Sequence, residues 1–210
     1  FKNIDYLLAC PETGEAVAID PWEPTGLVQE AKKRGWEIRH IVNTHSHWDH
    51  TRGNQALAEA SGAQVHCHPD ARGEISPNAI GLTLGAFFKV GNRELRVLDT
   101  PGHTMSHVCL VAETDKPFLI SGDTLFNAGA GNCHNGGAPE ALYETFTGVL
   151  ARLPGDTRLL PGHNYLHNNL GFSLSREPNN QAAQKAYADA AEASFRILTL
   201  EQERQYNPFF

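Results

Sequence analysis

The most constraining feature of this sequence is the segment THSHWDH, residues 44–50, which places three histidines and an aspartate within seven positions. It overlaps the end of an apolar stretch that is typical of a β-strand. Side chains two apart on an extended segment point the same way, so His45 and His47 can reach one ion. Asp49 and His50 follow at the turn into a helix, where they can face a second ion. Imidazole and carboxylate are ligands of zinc, iron and manganese.

A single His-x-His pair is also common among ordinary surface or core histidines, but three further segments repeat the same placement. TPGHT, SGDT and LPGHNY each put a ligand-type residue beside a glycine, in a loop after a predicted strand. The residues concerned are His103, Asp123 and His163. Loops at sheet ends are where α/β proteins build their sites, so the four segments together predict a metal centre.

Apolar runs and turn residues predict strands in hairpins and in strand–helix–strand units. Hairpins are predicted over 4–20 and 86–100, strands over 37–44, 63–68, 107–113, 117–123 and 157–163, and helices over 24–35, 53–62 and 139–153. This mixture indicates a layered α/β fold in which helices cover the faces of sheets. From about Leu170 the sequence becomes alanine-rich, and helices are predicted over 179–195 and 199–206, the second capped by Thr199.

Composition sets limits on the function. The 210 residues suit one ordinary domain, and 17 basic against 24 acidic residues give a net charge of −7. Like charges never run to five, which disfavours nucleic-acid and membrane-surface partners. Neither a membrane span nor a signal peptide is evident, and four scattered cysteines favour a reduced, cytoplasmic location. Because Phe1 opens directly into a predicted strand, we expect the natural N-terminus to lie upstream.

The four motifs THSHWDH, PGHT, GDTLF and PGHNY, in this order, resemble the metallo-β-lactamase superfamily, and within it most resemble glyoxalase II, the hydroxyacylglutathione hydrolases. The resemblance runs from about Ile4 to Tyr165 and continues more weakly through SREPNN and YNPF. It implies a four-layer αβ/βα sandwich with a small helical appendage. We therefore expect a catalytic domain over residues 1–170 and a helical segment over 171–210 that covers the substrate site.

The resemblance also implies a role for each ligand-type residue. One metal is held by His45, His47 and His103, the other by Asp49, His50 and His163, and Asp123 bridges the two. Two divalent ions are expected, with zinc first and iron and manganese as alternatives. A hydroxide bridging the metals attacks the carbonyl, and Asp49 orients it or receives its proton. No dedicated general acid is evident near the motifs, which suits a thiolate leaving group. Histidines 40, 66, 68, 107 and 167 are interpreted as structural or surface residues.

The loop NAGAGNCHNGG, residues 127–137, departs from the family. Asn132 stands where a basic residue that helps to hold glutathione is expected, and His134 stands near the position of an aromatic residue. Tyr165 matches a substrate-contact position of the family. The chain also ends before the basic positions that the family uses for the glutathione carboxylate. Cys133 and His134 are equally compatible with a different acyl or thiol pocket and with an ordinary glycine-rich loop.

The leading hypothesis is a metal-dependent hydrolase of a small thioester, S-(2-hydroxyacyl)glutathione such as lactoylglutathione. One alternative is a persulfide dioxygenase of the same superfamily, which uses a single iron. Another is a different hydrolase of this fold, of the lactonase type. A metal-stabilised binding module without catalysis is disfavoured by the complete ligand set, and a nuclease by the acidic charge.

Overall fold

A computed structural model describes residues 3–190 and 195–210. The chain divides into two compact units. The first, called here the N-terminal unit, comprises Asn3–Asp99 and Ser106–Ala112. The second, the C-terminal unit, comprises Thr100–Met105 and the described part of Glu113–Phe210. The predicted boundary at residue 170 between a catalytic domain and a helical segment stays a prediction.

The N-terminal unit combines strands with helices. The elements are β1 (Tyr6–Ala9), β2 (Glu15–Ile19), α1 (Pro24–Arg34), β3 (Glu37–Val42), α2 (Trp48–Thr51), α3 (Asn54–Ser61), β4 (Gln64–Cys67), α4 (Arg72–Ile75), β5 (Ile80–Gly81), β6 (Phe87–Val90), β7 (Arg93–Asp99) and β8 (Val108–Ala112). A mixed sheet has the strand order β1-β2-β3-β4-β5. Strands β1 and β2 form the predicted hairpin, and β2 to β5 are mutually parallel. Strands β6, β7 and β8 pair antiparallel.

Helix α1 shows how local sequence sets these boundaries. Pro24 occupies its first turn, where its missing N–H costs nothing, and the Glu23 side chain accepts a hydrogen bond from the Thr25 N–H. Gly35 ends the helix in the left-handed conformation, with φ of 70°. The helix then packs Leu27 and Ala31 against the sheet. A fully buried leucine contributes roughly 1.5–3 kcal/mol relative to an exposed one.

Parallel pairing places the carboxyl ends of β2 and β3 at the same edge of the sheet. Asp20 follows β2, and the segment from Thr44 to His50 follows β3. Both segments therefore emerge side by side, and the short helix α2 turns the second one back within a few residues.

The C-terminal unit also places candidate functional residues after parallel strands. Its elements are β9 (Phe118–Gly122), β10 (Leu125–Phe126), β11 (Gly129–Ala130), α5 (Pro139–Gly148), β12 (Arg158–Pro161), α6 (Leu166–Arg176), α7 (Gln181–Asp189) and α8 (Leu200–Tyr206). Strands β9 and β12 are parallel, so Asp123 and His163 follow strand ends at one edge. Strands β10 and β11 form a tight antiparallel hairpin.

The structure corrects two of the predicted helices. The helix predicted over 139–153 ends at Gly148 and continues as a 3-10 turn over Leu150–Arg152, because Thr147, Gly148 and Val149 are poor helix formers. The helix predicted over 179–195 ends at Asp189. Ala190 takes an extended conformation and is buried in the core, which outweighs the helix propensity of alanine; residues 191–194 lie outside the described part of the chain.

The remaining predicted elements are confirmed to within two or three residues. Helix α6 was not predicted. The two-residue strands were not predicted either, since such short strands carry no periodicity. Within the described residues, no helix is long and apolar enough to cross a bilayer. The four cysteines all lie in the described ranges and form no disulfide with one another.

Candidate metal centre

In the N-terminal unit, histidine rings cluster where β3 ends. The rings of His45 and His50 lie 4.2 Å apart between centroids, and Nε2 of His45 lies 3.1 Å from Nδ1 of His47. His45 and His50 are buried, whereas His47 is half-buried. Asp20, His45 and His50 each offer a ligand atom within 4.8 Å of the other two. The predicted crowding of imidazoles is therefore present in this unit.

Asp20 fixes the orientation of two of these histidines. Its carboxylate accepts from the Thr44 N–H (2.8 Å) and from the Thr44 hydroxyl (2.6 Å), and Nδ1 of His50 lies 2.9 Å away. Because the Thr44 hydroxyl donates to Asp20, it accepts from Nδ1 of His45 at 3.0 Å. Both rings thus carry their proton on Nδ1, so Nε2 is the atom that can bind a metal.

Asp49 lies one residue before His50 in helix α2. Its Oδ2 accepts a hydrogen bond from Nδ2 of Asn3 at 3.1 Å and lies 3.6 Å from Nε2 of His50. The half-buried carboxylate is thus beside the metal-binding face of that ring. His107, interpreted from sequence as structural, is fully buried and stacks on His45 at 5.0 Å between centroids.

In the C-terminal unit, Asp123 lies beside two histidines. Its Oδ2 is 3.5 Å from Nε2 of His103 and 3.3 Å from Nε2 of His163. The three side chains are buried. One carboxylate therefore approaches both of the histidines that the family resemblance assigns to different metals.

His103 is oriented by the loop that follows β11. Its Nδ1 donates to the Asn132 carbonyl oxygen at 2.5 Å, so its Nε2 also remains as the metal-binding atom. Gly131 makes this approach feasible, because a Cβ there would lie 1.9 Å from the Asp123 carbonyl oxygen and 2.7 Å from Nδ1 of His103. His163, the second histidine beside Asp123, is stacked on by the Tyr165 ring at 5.0 Å between centroids.

Two of the predicted substrate residues share a cleft of about 1130 Å³ in this unit. Asn132 and His134 are exposed, and the Asn132 side chain accepts from the His134 N–H at 3.1 Å. Aromatic side chains form much of the remaining wall; they are Tyr143, Phe146, Phe172, Phe209 and Phe210. Tyr165, the third predicted residue, instead lies against His163.

Comparison with known proteins finds relatives over the whole chain. Residues 6–163 match the family model of the metallo-β-lactamase superfamily, and residues 164–210 match the model of the hydroxyacylglutathione hydrolase C-terminus. The hydroxyacylglutathione hydrolase of Nitrosococcus oceani is 51% identical over 214 residues, which cover 100% of this chain and 81% of that protein. That of Polaromonas sp. is 50% identical over 213 residues, with the same shares.

The chain belongs to the hydroxyacylglutathione hydrolase family of the metallo-β-lactamase superfamily.

Solved structures show the same fold. ETHE1 from Myxococcus xanthus superposes with a TM-score of 0.78 at 25% identity, covering 99% of this chain and 79% of that one. TTHA1623, solved in a di-iron-bound form, gives a TM-score of 0.70 at 27% identity, covering 98% and 94%. The predicted α/β fold of the metallo-β-lactamase type, with a helical C-terminal part, is confirmed. Membership of this superfamily and the clustered histidines and aspartates indicate that the chain binds divalent metal.

Sequence reasoning missed Asp20, although a signal was present. Asp20 follows β2 directly, just as Asp123 follows β9. It lacks a neighbouring glycine and a neighbouring histidine, so it resembles an ordinary strand-end aspartate. Its φ of 51° is uncommon outside glycine.

Proposed function

We propose that this protein hydrolyses S-(2-hydroxyacyl)glutathione thioesters such as lactoylglutathione. The C–S bond breaks, a C–O bond to water forms, and the products are the hydroxy acid and glutathione. The observation that carries the proposal is the 50–51% identity, over the whole chain, with relatives that bear the name hydroxyacylglutathione hydrolase. The orientation of the histidines supports it, since Nδ1 of His45, His50 and His103 is hydrogen-bonded and Nε2 is left as the metal-binding atom.

The residues present fit two divalent ions. In the proposed arrangement His45, His47 and His103 would hold one ion, Asp49, His50 and His163 would hold the other, and Asp123 would be a ligand shared by both. Buried imidazoles with fixed tautomers, together with neighbouring carboxylates, are a donor set that zinc, iron and manganese accept. We propose zinc as the first candidate. When bound, the ions supply Lewis acidity and an activated water at neutral pH.

The chain's own residues then have separate tasks. Asp20 and the Asn132 carbonyl hold the rings of His50 and His103 in the binding tautomer. We propose Asp49 as the catalytic carboxylate that orients the attacking water or receives its proton, since it lies beside His50. Its hydrogen bond from Asn3 limits its rotation.

A covalent cysteine mechanism is disfavoured. Cys133 is a half-buried thiol that lines the same cleft as Asn132. Burial raises the pKa of this thiol, and the nearby Glu140 carboxylate raises it further. The thiol is therefore largely protonated at neutral pH, and the thiolate is the nucleophilic form. A glutathione leaving group of thiol pKa roughly 8.5 departs as thiolate without a strong general acid.

Substrate contacts are proposed for Tyr165, Asn132 and His134. Asn132 and His134 line the aromatic cleft, and the Asn132 carbonyl also binds His103. A thioester in this cleft would therefore lie beside one of the proposed metal ligands. We further propose that residues 171–210 help to cover the substrate and that the protein acts in the cytoplasm on a small molecule.

Thiol release from lactoylglutathione and metal content test the proposal together. Protein purified without added metal is analysed for zinc, iron and manganese per chain, and thiol release is followed with each metal. We expect two ions per chain and hydrolysis. One iron per chain, with no thiol release and with oxygen uptake on a persulfide, would instead identify a dioxygenase.

A further inference from the structure

Helix α8 carries an acidic residue in the interior of the C-terminal unit. Glu203 is 0% exposed, although glutamate is rarely buried without a partner. The helix is fixed at its start by a capping box, in which Thr199 and Gln202 satisfy each other's backbone N–H groups. The position of Glu203 is therefore set by the helix, and its carboxylate faces the β10–β11 hairpin.

Three N–H groups donate to this carboxylate. The Ala128 backbone N–H lies 2.7 Å from Oε2, Nδ2 of Asn127 lies 3.0 Å from Oε1, and Nδ2 of Asn207 lies 3.2 Å from Oε2. Burial raises the pKa of Glu203 to about 7 in spite of these donors. Two of the three donors belong to the turn of the hairpin, so the helix holds that turn directly.

The turn needs such support. Ala128 has φ of 55°, a left-handed conformation that costs a residue with a Cβ roughly 1 kcal/mol. Further amides hold the turn from outside: Nδ2 of Asn169 donates to the Asn127 carbonyl at 3.0 Å, and Nδ2 of Asn207 donates to the Gly129 carbonyl at 3.1 Å. The hairpin is thus held by α6 and α8 as well as by its own short ladder.

Both arms of the hairpin lead to proposed metal ligands. Strand β10 begins two residues after Asp123, and β11 is followed by Gly131 and Asn132. The Asn132 carbonyl accepts from His103, and the backbone at Gly131 packs against Asp123. A shift of the turn would therefore displace the orienting partner of one ligand and the backbone near another.

We infer that Glu203 is a positioning residue: from helix α8 it holds the β10–β11 hairpin so that His103 and Asp123 keep the geometry that metal binding requires. The inference rests on the proposed function for its catalytic consequence. Its consequence for metal affinity holds whatever reaction the protein catalyses. The positioning role and the proposed reaction can therefore fail separately.

The test compares Glu203→Gln with Glu201→Gln, an exposed carboxylate on the same helix. The amide keeps the shape of Glu203 but presents an NH2 group to donors, so the turn loses at least one hydrogen bond. We expect the Kd for zinc, measured by chelator competition, to rise roughly tenfold, the lower end of the range for outer partners of ligands. With lactoylglutathione, kcat should fall more than KM rises. Glu201→Gln should match the parent in each measurement.

Asn127→Ala provides a second route, since it removes one donor to Glu203 and keeps the carboxylate buried among the others. It should weaken zinc binding in the same direction, and it serves if Glu203→Gln does not fold. A lowered melting temperature with unchanged zinc Kd and unchanged kcat, in whichever variant folds, would overturn the inference and leave Glu203 a purely structural residue. If the parent protein shows no thioesterase activity but the variants bind zinc more weakly than the parent, the positioning role is supported and only the proposed reaction is refuted.

Discussion

The Asp20 carboxylate lies 2.9 Å from Nδ1 of His50, thirty residues later in the chain. The two are adjacent because β2 and β3 are parallel neighbours whose carboxyl ends coincide. The same carboxylate holds Thr44, which in turn accepts from His45. One residue outside the proposed ligand set therefore decides which nitrogen each of two histidines presents.

Replacing Asp20 with asparagine should weaken metal binding without removing a ligand. Whichever way the new amide turns, its NH2 group faces a donor, either the Thr44 N–H or the His50 Nδ1–H. When the NH2 group faces His50, that ring would shift its proton toward Nε2, the metal-binding atom; when it faces the Thr44 N–H, the support of Thr44, which accepts from His45, would be weakened. We expect the Kd for zinc to rise 10- to 100-fold, as is usual when an outer partner of a ligand is lost. Chelator competition measures this.

Asp70→Asn is the matched control for that change, because the Asp70 side chain is 83% exposed. It should leave the zinc Kd unchanged. Equal zinc affinity in the Asp20→Asn variant and in the parent would show that the His50 tautomer is set by another group.

Asp123→Ala should lose both metals, whereas His163→Ala should lose mainly one. The reason is that Oδ2 of Asp123 approaches both His103 and His163, and removal of a shared ligand opens two coordination shells at once. Elemental analysis of both purified variants provides the measurement. Loss of one ion in each variant, to the same extent, would contradict the bridging role.

Much of the fold could be predicted because local rules and tertiary structure agree. Pro24 and Gly35 bound α1, Thr199 caps α8, and apolar runs between turn residues mark the longer strands. Where the prediction of 179–195 as a continuous helix was wrong, burial of Ala190 outweighed local propensity. Local propensity is a weak prior when tertiary packing competes with it.

The proposed ligands were identifiable because each stands in a short motif at a strand end. Their orienting partners were not. Asp20 is adjacent to His50 only through strand pairing, and the partner of His103 is a backbone carbonyl, which any residue at position 132 could supply. Glu203 lies in a predicted helix whose sequence does not show which of its charged residues is buried, and only the folded chain shows that Glu203 is.

Glu203 should also make stability depend on pH. Burial raises its folded-state pKa from 4.5 to about 7, so between these values the native state binds more protons than the unfolded state. Its contribution to the free energy of unfolding therefore falls as pH rises from about 4.5 to about 7, by on the order of 3 kcal/mol. Tyr206, which faces it, does not titrate in this window because burial raises its pKa further.

Urea unfolding of metal-free protein at pH 5 and pH 8 checks this expectation. Between pH 5 and pH 8 the parent should lose more unfolding free energy than Glu203→Gln does. The variant should therefore compare better with the parent at pH 8 than at pH 5. Parallel pH profiles for the two proteins would show that the carboxyl titrates at its ordinary pKa.

The family resemblance implies a basic residue for glutathione at the position of Asn132, which lines the cleft beside His103. Among the described residues that line this cleft, none is lysine or arginine. Glutathione carries net negative charge, so a cation at this position should favour its binding.

Asn132→Lys should therefore lower KM for lactoylglutathione about fivefold, since one exposed charge contact is worth about 1 kcal/mol. The backbone carbonyl that holds His103 is retained, and the new charge favours ground state and transition state alike, so kcat should hardly change. Asn132→Gln, which alters the side chain without adding charge, is the control, and added salt should shrink the gain. Steady-state thiol release at low and high salt measures both effects. A different result would be an unchanged KM for Asn132→Lys at low salt together with loss of activity on substitution of Cys133 or His134. The loop would then recognise another thiol, and the proposal would be reduced to a metal-dependent hydrolase of unassigned substrate.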